Sequence, residues 1–186
     1  MNTKRPYAYF ALSVVGPDRP GIVAGVSEAL FNLGCNIADS SCAMLAGEFA
    51  MILIISHPEA LNADQLLGQV QPACDALGMT VALRTLTPVE VQRKEPSGEL
   101  CVVTVYGADK PGIVFTVTKA LADRGINIQD LQTKLAGDDD NQVYVMMLEV
   151  NLPDSVVFDE LQDILATLHE QLQVEVAARI VTPVEL

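Results

Sequence analysis

Short runs of apolar, β-branched and aromatic residues alternate along this chain with segments whose apolar positions recur every three to four residues. Residues 7–15 and 99–106 are runs of the first kind and predict strands. Behind each comes a Pro-Gly pair, Pro20-Gly21 and Pro111-Gly112, and then a helical period. Ile22, Val26, Ala29, Leu30 and Leu33 share one face of the first helix, and Val114, Val117, Ala120 and Leu121 one face of its later counterpart. Gly34 and Gly125 follow as C-caps in the left-handed region. Residues 37–45 and 48–56 around Ala46-Gly47 predict a hairpin, repeated by 128–135 and 142–150 around a longer turn at 137–141. Second helices at 63–77 and 155–172 lead into last strands at 79–86 and 174–181. The order is βαββαβ, twice. This is the ferredoxin-like unit, an α+β fold in which an antiparallel four-stranded sheet carries both helices on one face.

The two halves are copies. Gly16-Pro-Asp-Arg-Pro-Gly-Ile-Val23 returns as Gly107-Ala-Asp-Lys-Pro-Gly-Ile-Val114. The match runs on through Gly34, Asn36-Ile37 and Asp39, which align with Gly125, Asn127-Ile128 and Asp130. Both halves also close alike, on Arg84-Thr-Leu-Thr-Pro-Val-Glu90 and Arg179-Ile-Val-Thr-Pro-Val-Glu185. Residues 87–98, with Pro88, Pro96 and a charged middle, read as a connection, so the expected domains are 1–88 and 99–186 with a linker at 89–98. In the strands both parities are apolar, as in Met51-Ile-Leu-Ile-Ile55 and Val143-Tyr-Val-Met-Met-Leu148. Strands of that kind are expected to be covered on both faces, so the sheets should pair with each other or with a second chain; a homodimer is the expectation.

Charge narrows the choice of partners. Eleven Lys and Arg against 24 Asp and Glu leave a net charge of −13. Proteins that bind nucleic acid gain affinity by neutralising phosphates with cations, so no direct nucleic-acid contact is expected. No apolar run reaches the length of a membrane span, and the polar first six residues do not read as a signal peptide. A cytoplasmic protein is the expectation. Cys35, Cys42, Cys74 and Cys101 form no C-x-x-C pair and read as reduced, mostly core thiols.

The repeat is most faithful where the first strand of each half meets its helix. Proline in a first helical turn is preorganised and has no N–H to leave unpaired, and glycine lets a ligand approach the backbone. The next amides point out of the helix N-terminus, where the macrodipole favours an anion such as a carboxylate. Asp18 and Asp109 precede this corner and can either cap the helix or accept the ammonium group of an amino acid. Asn36 and Asn127 start the second strands. Their carboxamides can hold an α-amino or α-carboxylate group, or a strand-end backbone group.

Catalytic patterns are not evident. His57 and His169 lie at unmatched positions of the two copies, neither in a nucleophile motif. There is no metal-ligand spacing, Walker loop or G-x-G-x-x-G, so no enzyme, metal or cofactor is expected. The acidic run from Asp138 to Asn141 lacks the spaced ligands of an EF-hand and reads as a solvated turn.

Asp18-Arg-Pro-Gly-Ile22 with Gly34-Cys-Asn-Ile37, and Asp109-Lys-Pro-Gly-Ile113 with Gly125-Ile-Asn-Ile128, resemble the ACT-domain signature. In the first half, Gly34-Cys-Asn-Ile-Ala-Asp-Ser40 and Ala43-Met-Leu-Ala-Gly-Glu-Phe49 are similar to stand-alone tandem ACT repressors of the glycine cleavage system. That resemblance implies a non-catalytic amino-acid sensor, glycine favoured, that regulates transcription through a partner regulator protein. It implies ligand contacts at Asp18, Pro20, Gly21, Ile22 and Asn36, and again at Asp109, Pro111, Gly112, Ile113 and Asn127. Some serine-sensing ACT domains carry histidine where this chain has Gly16 and Gly107, which suits a smaller ligand. A regulatory subunit of a separate metabolic enzyme and a purely structural dimerisation module are the alternatives.

Overall fold

The structure, a computed structural model, describes residues 7–58, 62–92, 98–137 and 142–181. The chain divides into two compact units, 1–93 and 94–186. The first unit runs β1 (Ala8–Pro17), α1 (Ile22–Asn32), β2 (Asn36–Leu45), β3 (Glu48–His57), α2 (Ala63–Ala76), β4 (Thr80–Leu86) and α3 (Pro88–Val91). The second runs β5 (Glu99–Gly107), α4 (Ile113–Ala122), β6 (Asn127–Ala136), β7 (Val143–Leu152), α5 (Phe158–Leu172) and β8 (Glu175–Ile180). Each unit holds one antiparallel four-stranded sheet, ordered β2-β3-β1-β4 and β6-β7-β5-β8. These are two tandem ferredoxin-like units. Even the irregularities repeat: the edge strands carry register shifts at Ile37/Asp39 and Ile128/Asp130.

Alternation builds the cores. In β1, Phe10, Leu12 and Val14 point into the helices and are buried, alongside Met51, Leu53 and Ile55 of β3. Ile22, Val26 and Leu30 of α1 and Leu66, Val70 and Cys74 of α2 close the layer from the other side. The second unit repeats this with Cys101, Val103 and Val105 on its central strand beneath α4 and α5. Each large aliphatic side chain removed from water in this way contributes roughly 1.5–3 kcal/mol. The tight hairpin turn is met at Ala46 (φ 51°) and Gly47 (φ 84°), the two successive left-handed residues that a two-residue connection of this twist requires.

The apolar second parity of the strands is only partly covered within one chain: Ile52 and Tyr106 are each 54% exposed. Three features depart from the pattern-based reading. Gly112 is the residue before α4, so Ile113, Val117 and Leu121 make the buried stripe, and Val114, one step round the helix, is exposed. The stretch assigned to the connection opens with a helical turn, α3, capped reciprocally by Thr87 and Glu90. In the second unit α5 begins at Phe158, behind a turn in which the Val156 N–H donates to Pro153 O at 2.9 Å. The acidic turn at 138–141, the connection at 93–97 and the closing motif at 182–186 lie outside the described residues. Among the described residues, no helix is long and apolar enough to cross a membrane.

Candidate functional site

The corner between β1 and α1 is held from two sides. The Asp18 N–H donates to Gly47 O at 2.8 Å, which ties the corner to the hairpin turn. Arg19 Nη2 donates to Ala76 O at 2.9 Å, the last carbonyl of α2. In the second unit Lys110 Nζ donates to Leu172 O at 3.4 Å, the last carbonyl of α5. Arg19 and Lys110, different in sequence, therefore do the same work: a cation satisfies a helix C-terminus and anchors the corner beside it.

Gly21 and Gly112 are the N-caps, with φ of 97° and 96° and no side-chain cap. The aspartates therefore do not cap these helices, and both Asp18 and Asp109 are exposed. The first intrahelical bonds are Gly25 N to Gly21 O and Thr116 N to Gly112 O. The amides of Ile22, Val23 and Ala24, and of Ile113, Val114 and Phe115, precede them and have no helical partner. A β-carbon added at either capping glycine would meet nothing within 4 Å. Open space faces both corners. Positive φ, rather than crowding, is why glycine stands there.

Gly16 and Gly107 are glycine for the opposite reason. A β-carbon on Gly16 would come within 2.9 Å of Met79 Sδ and 3.0 Å of Gly78 O. One on Gly107 would come within 2.8 Å of Val174 Cγ1. The turn that leads from the second helix into the last strand of each unit leaves no room for a side chain at the position where a histidine would sit.

The asparagines are elsewhere. Asn36 opens β2 opposite Ser56, whereas Pro17, at the corner, lies opposite Glu48. The stretch of β3 from Glu48 to Ser56, at roughly 3.3 Å per residue, separates them by about 26 Å. Asn127, opposite Asn151, is far in the same way from Gly107, opposite Tyr144. Within one unit, then, the structure brings together Asp18, Pro20, Gly21 and Ile22, and likewise Asp109, Pro111, Gly112 and Ile113. It does not bring Asn36 or Asn127 to them.

Two neighbouring open cavities in the second unit divide these residues between them. One of about 520 Å³ lies at the corner, lined by Asp109, Gly112, Phe115 and Tyr144 among others. Another of about 430 Å³ holds Asn127, with Thr118, Ala122 and Ile128. Phe115 borders both and is 69% exposed. Burial pushes the Tyr144 phenol above its ordinary value; a Thr133 hydrogen bond opposes this and the Asp109 charge adds to it. Asp109 thus acts electrostatically on the cavity wall.

Phe115 and Tyr144 escaped the sequence reading because their counterparts, Ala24 and Phe49, carry no polar signal. Polar groups are also buried at the asparagine ends. Asn151 accepts from Gln129 Nε2 at 2.6 Å, and His57, 6% exposed, donates from Nε2 to Leu33 O at 3.0 Å, across the C-terminus of α1. His169 Nδ1 lies 2.8 Å from Val174 O. Burial raises the Cys35, Cys74 and Cys101 thiols, which holds them in the poorly nucleophilic protonated form; Cys42, by contrast, is exposed. Among the described residues no cluster of His, Cys, Asp or Glu is placed to hold a metal ion.

Comparison with known proteins agrees with this architecture. Residues 8–84 and 102–166 each match a model of the ACT domain. A glycine cleavage system transcriptional repressor of Escherichia coli (strain K12) is 30% identical over 127 residues, 68% of this chain. That alignment spans 64% of the repressor, less than two thirds of its length. A solved protein of Galdieria sulphuraria, itself of unknown function, superposes with a TM-score of 0.77 at 29% identity, covering 95% of this chain and 100% of its own. A solved candidate glycine cleavage system transcriptional repressor superposes with a TM-score of 0.70, covering 95% of this chain and 99% of its own. At 21% identity that likeness speaks for the fold alone.

Proposed function

The chain belongs to the ACT-domain family, with two such domains in tandem, and from that premise we infer that it is a regulatory sensor of a small amino acid, glycine foremost. On this reading the free amides of a Pro-Gly corner receive the carboxylate, and Asp18 or Asp109 receives the ammonium group. The observation that carries the reading is the corner itself. It is built twice with the same φ, the same cation-anchored geometry and open space in front.

The separation of corner and asparagine adds a requirement. An amino acid with five non-hydrogen atoms cannot bridge about 26 Å, so a site that uses both takes them from two ACT domains. We assign the second to another copy of the chain. The edge strands suit that role: all ten residues of β2 are exposed, and its outer backbone groups are open to pairing. The similarity to a transcriptional repressor, together with a net charge of −13, favours action through a partner regulator protein in the cytoplasm over contact with nucleic acid.

The best small ligands gain at most about 1.5 kcal/mol per non-hydrogen atom, which limits glycine to roughly −7.5 kcal/mol, or micromolar affinity. Calorimetry on the full chain should therefore give a micromolar-to-millimolar Kd for glycine. Asp18→Ala with Asp109→Ala should weaken it, and so should Asn36→Ala with Asn127→Ala. Mixing the two double variants should restore binding at about a quarter of the original stoichiometry, because random exchange puts half of the chains in mixed pairs and half of the composite sites of a mixed pair are intact. No heat from glycine or any other amino acid at several millimolar would end the sensor reading, and a mixture as inactive as its components would end the two-copy site.

A further inference from the structure

The two units differ in how their helices meet. In the first, a β-carbon on Gly25 would come within 2.9 Å of Leu77 Cδ1, so the absent side chain is what lets α1 lie close against the end of α2. The repeat puts Thr116 at the corresponding place in α4. There a groove of about 690 Å³ runs between α4 and α5. Its floor is apolar, from Ala120, Ile164 and Leu168, and Phe115 stands at one end.

The rim is charged, and its charges are unequally matched. Lys119 is taken up by Asp123, four residues on, at 2.5 Å, and Arg124 by Glu160 at 2.8 Å. Asp163, on the α5 wall, makes no ion pair among the described residues. Helix α5 also carries Asp159, Glu160 and Glu170, and no Lys or Arg. The wall between Glu160 and Gln171 extends for about 16 Å at 1.5 Å per residue, some three helical turns.

We propose that this groove receives a basic amphipathic helix of a partner protein. Apolar side chains at i, i+3, i+4 and i+7 of the incoming helix fill the floor, and its flanking Lys or Arg meet Asp163 and the acidic outer side of α5. Charge complementarity selects this occupant: the groove's own cations are neutralised, so the surplus sign is negative, and an acidic helix would meet repulsion. The proposal extends the reading that action passes through a partner protein. Its test uses no amino acid, so the sensor and the groove stand or fall separately.

The probe is a fluorescein-labelled 14-residue Leu/Lys model helix, titrated with the full chain and read by anisotropy, with a Leu/Glu peptide of the same pattern as its counterpart. Thr167→Trp, at an exposed position lining the groove, plugs it, and Asp163→Lys inverts its surplus charge. Circular dichroism melts establish that both variants fold. Saturable binding of the Lys peptide is expected, weakened about tenfold or more by either variant, with Asp163→Lys gaining affinity for the Glu peptide. Three outcomes overturn the proposal. Equal binding of the Lys peptide with the groove plugged is bulk attraction to an acidic surface. A mass in solution halved by Thr167→Trp gives the groove to a second copy. An anilinonaphthalene dye that saturates the groove where neither peptide does gives it to a small apolar ligand.

Discussion

Replacing Gly112 by alanine separates conformational strain from steric crowding at the corner on which ligand binding rests. Gly112 has φ 96° and ψ −5°, and a β-carbon there would meet no atom within 4 Å. Any loss must therefore come from the backbone. An L-residue held in the left-handed region costs roughly 1–2 kcal/mol, and Asn tolerates it better than Ala because its short side chain can bond locally. Gly112→Ala should lose about that much in urea denaturation followed by far-UV circular dichroism. For a domain of this size each kcal/mol lowers the melting temperature by about 4–8 °C. Gly112→Asn should recover part of the loss. If the chain relieves the strain by moving φ, the amides of Ile113 to Phe115 swing away, and ligand affinity falls with stability. Equal stability for glycine, asparagine and alanine at this position would refute the argument, since no other contact is available to offset the strain.

Two further outcomes follow from single residues. The Thr87 backbone N–H, then the Arg84 guanidinium and the Thr87 hydroxyl, holds the Glu90 carboxyl down from 4.5 to about 2. A depressed carboxyl stabilises its fold above the ordinary value and ceases to do so as pH falls through the depressed one. The α3 turn should thus be intact at neutral pH and come apart between about pH 4.5 and 2, with an NMR carboxyl midpoint near the lower end; a midpoint near 4.5 would refute it. Gln173 ends α5 at φ 54°, where the first unit has Gly78 at φ 69° after α2. Gln173→Gly should therefore stabilise the second domain by up to about 1 kcal/mol and raise its denaturation midpoint accordingly, and an unchanged or lower midpoint would count against the strain.

The corner and its repetition were legible in the residues because both are local. A Pro-Gly pair sets φ and removes a donor within two positions, alternation of period two makes a one-faced strand, and Gly34 and Gly125 end helices by a property of their own backbones. Even there the buried stripe of α4 joins Ile113, rather than Val114, to Val117 and Leu121, because each step along the helix turns the face by 100°.

By itself the sequence determined two tandem ferredoxin-like units and a helix N-terminus left open in each. Tertiary structure alone decided that Asn36 and Asn127 stand at the far ends of their sheets from those corners, that Phe115 and Tyr144 border the second corner, and that α4 and α5 stand apart where α1 and α2 close up. The physical reason is the range of the forces that set each feature. Turn and cap geometry is written in neighbouring residues, whereas the distance between two side chains depends on strand register and on volumes such as that of Gly25 against Leu77, which meet only once the chain has folded.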